Sequence, residues 1–236
     1  MERILSELVE KLQKAHQEKL VSVVLYGSAV TQESRDRFSD FNVLCVLTQI
    51  TPVELAGSEP VFRWWREMKN PAPLMLSQEE VRTSSDCFPI EFHDIKERHI
   101  ILFGADLVSG IEVDYSFYRA QVEHDLRAKL LRLRQKAGGV LSQKDLLLRL
   151  MADSVSTFCV LFRHALLLDG SQAQFEKREV IAAAAGRFGL DSAPFTALLD
   201  VRDEKVKAGS LQPGALFREY LKQIEVVVDA VDRMKK

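Results

Sequence analysis

The segments Leu25-Tyr26-Gly27-Ser28 and Ser39-Asp40-Phe41-Asn42-Val43 carry the residue types that a phosphate and metal site needs. Glycine lets the backbone approach a phosphate closely, and a serine hydroxyl beside exposed amide donors can hold its oxygens. Asp40 and Asn42 stand two apart, so on a strand both side chains project to one face while Phe41 and Val43 turn to the other. Glu91, between Ile90 and Phe92, reads as an acid on a third strand. Were these strands adjacent, three oxygen-bearing side chains would converge beside the Gly-Ser turn, an arrangement that suits Mg²⁺ bridging nucleotide phosphates.

The surrounding pattern supplies elements to position them. Ile4, Leu5, Leu8, Val9 and Leu12 recur at helical spacing, and Val21 to Tyr26 is an apolar, β-branched run ending at the Gly-Ser turn. Phe41 to Leu47 predicts a second strand. Thr51-Pro52 with Glu54 predicts a capping box opening a helix through Met68, kinked at Pro60, and Ser77 with Glu80 repeats that signature. Pro89 to Ile95 predicts the third strand, and His99 to Phe103 a further one closing at Gly104. Beyond Asp114 only helical patterns follow, separated by breakers such as Gly138-Gly139 and Asp169-Gly170. The expectation is an α/β domain over residues 1–108 and a helical domain over 109–236.

Composition narrows the partners. The chain has 236 residues, 47% of them hydrophobic, with 32 basic against 34 acidic residues for a net charge of -2. That balance lacks the general electrostatic footprint of a nucleic-acid or anionic-membrane binder, although it leaves room for a local basic cleft. Cys45, Cys87 and Cys159 are far apart, with no zinc or disulfide spacing, and no apolar run has bilayer length. A cytoplasmic protein with no membrane partner is expected. Apolar helical surface in the C-terminal half would serve a homodimer.

Apolar-Gly-Ser, a spacer of eleven residues, Asp-apolar-x-apolar, and later an acid inside an apolar run together resemble the polymerase-β-type nucleotidyltransferase superfamily, which includes aminoglycoside nucleotidyltransferases. The resemblance covers roughly residues 20–104. It implies a nucleotidyltransferase-like α/β domain with a mixed sheet, a helical bundle behind it, and transfer of a nucleotide monophosphate from a nucleoside triphosphate to a hydroxyl. By the same resemblance Gly27 and Ser28 hold the triphosphate, Asp40 and Asn42 occupy metal positions, and Glu91 supplies the third carboxylate and activates the acceptor. Arg119, in the Arg119-Glu123-Arg127 ladder, either binds a phosphate or pairs along its own helix. Trp64-Trp65 either stacks on a base or divides between core and surface.

The departure is Asn42, where the superfamily pattern has a carboxylate. A unit charge pair contributes roughly 4 kcal/mol at ~4 Å in an effective dielectric of ~20, and a divalent ion doubles that gross value. Losing one anion therefore weighs most against a second metal. Two functions follow: a protein that binds a nucleoside triphosphate with Mg, or a partner protein, and whose activity has lapsed or weakened, or an active transferase acting on a hydroxyl of a small molecule.

Overall fold

The computed structural model describes residues 2–30, 41–172, 174–206 and 208–234. The chain divides into two compact units, Met1–Ser116 and Phe117–Lys236.

The first unit is built on four strands: β1 (Leu20–Tyr26), β2 (Asn42–Leu47), β3 (Leu74–Ser77) and β4 (His99–Gly104), in spatial order β3-β2-β1-β4. β1 runs antiparallel to both β2 and β4, and β2 is parallel to β3, so the sheet is mixed. A parallel pair needs a crossover, and α2 (Pro52–Glu67) provides it. Its start follows the sequence signal: Thr51 and Glu54 form the capping box, with Pro52 in the first turn. The helix continues through Pro60 to Glu67.

Strand alternation divides the core in two. Val23 and Leu25 of β1 with Val43, Cys45 and Leu47 of β2 pack beneath Leu5, Leu8 and Leu12 of α1 (Glu2–His16) and Val61 and Trp65 of α2. Val24, Leu44 and Val46 face the other way, against Val81 of α3 (Gln78–Thr83), Phe92 and Ile95 of α4 (Pro89–Glu97), and Val108 and Ile111 of the segment after β4. At Gly104, φ is +79° and a Cβ would lie 2.0 Å from the Val21 carbonyl oxygen, so only glycine lets β4 close against β1 here.

The sequence expectation fails in two places. Pro89 to Ile95 is not a strand but the helix α4, which Pro89 opens from the first turn and the Phe92 amide continues by donating to the Phe88 carbonyl. The strand beside β2 is instead β3, four residues long, ending at the Ser77–Glu80 capping box.

The second unit is helical: α5 (Tyr118–Gly138), α6 (Lys144–Leu168), α7 (Lys177–Phe188), α8 (Ala193–Arg202) and α9 (Pro213–Arg233). Its centre is an aromatic cluster in which Phe158, Phe162, Phe195 and Tyr220 meet with ring centroids 5.1 to 6.2 Å apart. Each unit encloses one buried thiol, Cys45 in the sheet and Cys159 in α6, whereas Cys87 is exposed. Among the described residues no helix is long and apolar enough to cross a membrane.

Candidate functional site

β1 is hydrogen-bonded on both sides, which fixes where its last residues point. Tyr26 is paired with Asn42 of β2 and His99 of β4. The chain then turns at Gly27, with φ at +81°, into a short 3₁₀ turn spanning Gly27–Val30. A Cβ on Gly27 would stand 3.3 Å from Asn42 Nδ2, so the glycine and the asparagine are in immediate proximity. The Gly27 amide donates to the Arg98 carbonyl at 3.1 Å, which ties the turn to the junction of α4 and β4. Contacts to a phosphate would therefore fall to the turn that follows rather than to this amide.

Asn42, Leu44 and Val46 share the sheet face that α4 covers. Tyr26 packs on that face too, and its phenol is pushed above its ordinary value, first by burial and then by the negative charges of Glu91 and Asp94. Tyr26, Gly27 and Asn42 thus form a group at one end of the sheet.

The helical state of α4 changes which groups are neighbours. On a strand Glu91 would share a face with His93; on a helix, residues three apart are the neighbours, so Asp94 joins Glu91. His93 turns elsewhere, with Nδ1 2.8 Å from the Tyr115 hydroxyl. β1, β2, β3 and β4 read LVSVVLY, NVLCVL, LMLS and HIILFG, and none of them contains an acid.

Of the expected site residues, Asp40 and the Ser28 side chain lie outside the described part of the structure. Gly27 and Asn42 are brought together, while Glu91 is carried by the helix α4 rather than by a strand adjacent to β2. Arg119 is in α5 of the second unit, where its Nη1 donates to Glu123 at 2.9 Å and to the Val231 carbonyl at 3.3 Å. Trp65 is fully buried against Phe41, while Trp64 lies under the Lys11 ammonium, 4.9 Å from its ring centre. Sequence reasoning gave Tyr26 no role, and its signal was its place just before the Gly-Ser turn.

Among the described residues no three His, Cys, Asp or Glu side chains are grouped to hold a metal. Asn42, beside Gly27, presents an amide where a carboxylate would hold a cation more strongly, and Glu91 and Asp94 are carried by α4.

The fold has solved counterparts. Spectinomycin adenyltransferase AAD(9) from Enterococcus faecialis, whose structure was determined with ATP and spectinomycin, superposes with a TM-score of 0.63 at 13% identity. The match covers 98% of this chain and 99% of that one. The chain has a nucleotidyltransferase-like fold. No protein-family model matches it, and no curated protein matches it in sequence.

Proposed function

We propose that the first unit binds a nucleoside triphosphate with one Mg²⁺ at the end of β1, and that nucleotide transfer there has lapsed or slowed. The observation that carries this reading is Asn42, which stands against Gly27 with a neutral amide where the superfamily pattern has a carboxylate. The turn after Gly27 contacts phosphate oxygens, Ser28 adds its hydroxyl, and Asp40 with Asn42 would hold the ion. Mg²⁺, when bound, neutralises phosphate charge. Glu91 would supply the further carboxylate and activate an acceptor hydroxyl.

A second reading, active transfer to a hydroxyl of a small molecule, draws support from the likeness to an adenyltransferase over nearly the whole chain. Calorimetry with each nucleoside triphosphate, with and without Mg²⁺, tests the first reading: micromolar to millimolar binding lost in Asp40→Ala is expected, and no heat with any triphosphate defeats it. Incubation with labelled triphosphates and a panel of hydroxylated acceptors separates the two, since label transfer abolished by Asp40→Ala establishes the active enzyme. In the lapsed case Asn42→Asp restores a carboxylate and is expected to raise Mg²⁺ affinity in the presence of triphosphate by about tenfold or more.

A further inference from the structure

The net charge of -2 conceals a local excess. Residues 127–149, the hairpin of α5 and α6 in the second unit, hold seven Lys and Arg and one acid, Asp145. These cations do not all do the same work. Arg127 and Arg134 recur on the flank of α5 that meets α9, where they pair with Asp232 and Glu225. Lys129, Arg132 and Lys136 recur at i, i+3 and i+7 on another flank; all three are exposed, and among the described residues none has an acidic partner.

Lys144 joins them across the turn, at the first position of α6. A cation there opposes the helix dipole, and Gln143 before it provides no side-chain cap. Helix stability thus accounts for Lys136 in the last turn of α5 but not for Lys144. Leucine is the other component: Leu141 at the tip is 58% exposed and Leu146, the third residue of α6, 46%. Residues 127–149 contain no Phe, Tyr or Trp, so the ring platforms on which single-stranded nucleic acid stacks are missing.

Exposed leucines beside cations that have no acidic partner among the described residues, without aromatics, match a bilayer surface with acidic headgroups: the ammonium and guanidinium groups meet phosphates while the leucines enter the acyl boundary. We propose that the end of the α5–α6 hairpin docks the protein on an anionic lipid surface. The contact is peripheral, since the hairpin lies on the headgroups and spans nothing. It draws only on residues of the second unit.

The test is co-sedimentation of the full chain with vesicles of phosphatidylcholine alone and of phosphatidylcholine with one third phosphatidylglycerol. Partition into the anionic vesicles only, weakened by salt, is expected. The triple variant Lys129→Gln/Arg132→Gln/Lys136→Gln should lose about a hundredfold in partition. Leu141→Ser should lose about tenfold, and Lys14→Gln/Arg218→Gln/Lys222→Gln, with the same charge loss elsewhere, should keep far more binding than the hairpin triple variant. Melting curves establish that each variant is folded. Failure to partition into anionic vesicles, or partition that the hairpin triple variant retains, overturns the proposal. Retention on single-stranded RNA without vesicle binding, lost in the same variant, also overturns it and assigns the face to nucleic acid.

Discussion

Gly27 concentrates several constraints in one position: a left-handed backbone, an amide committed to Arg98, and Asn42 Nδ2 at 3.3 Å from where a methyl would stand. Gly27→Ala should therefore cost about 1–3 kcal/mol of stability, read from denaturant midpoints, because an L-residue is strained at this φ. An unchanged midpoint would mean that the turn relaxes without cost. Tyr26 gives a second reading of the same spot. Its phenol is raised by burial first and by Glu91 and Asp94 next, so the Glu91→Gln/Asp94→Asn variant should lower the phenol midpoint in ultraviolet titration without returning it to the free value. If the midpoint stays put, the α4 carboxylates do not reach Tyr26 through space.

At the scale of elements, the capping boxes were the most legible part of the chain. Thr51 and Glu54 open α2 as their spacing requires, and Ser77 with Glu80 open α3. Glu54 does more than cap: Lys19 Nζ lies 2.5 Å from it, and Lys19 and Thr51 hold its carboxyl down to about 2. A carboxyl lowered in the folded state contributes stability in full above its unfolded value, about 4.3, and loses that contribution as the pH falls towards 2. Unfolding measured across this window should show a slope that Glu54→Gln flattens. What could not be read was α4. Ile90, Glu91 and Phe92 alternate as a strand would, while Phe92 and Ile95 keep a helical interval, and over seven residues the two periods cannot be told apart. β3, at four residues, is shorter than any periodicity that would announce it. That exchange carried Glu91 from a strand to a helix and gave it Asp94, not His93, as its neighbour.

Over the whole molecule, the change from mixed to helical patterning was visible in the sequence, because tight turns and capping residues punctuate it. The distribution of charge was not, because a sum near zero says nothing of where cations gather, and the packing of α9 against one flank of α5 separates Arg127 and Arg134, paired with its acids, from Lys129, Arg132 and Lys136 on another flank. The two enclosed thiols, one per unit, carry a kinetic consequence. Burial pushes Cys45 and Cys159 up to about 12, so neither offers a thiolate to reagents at neutral pH, whereas Cys87 lies at the surface. With Cys87 blocked in a first pulse, every later alkylation event records an opening, and peptide mapping says which unit opened. The protein thus carries two internal clocks, and the ratio of their rates measures whether its halves come apart together or one at a time.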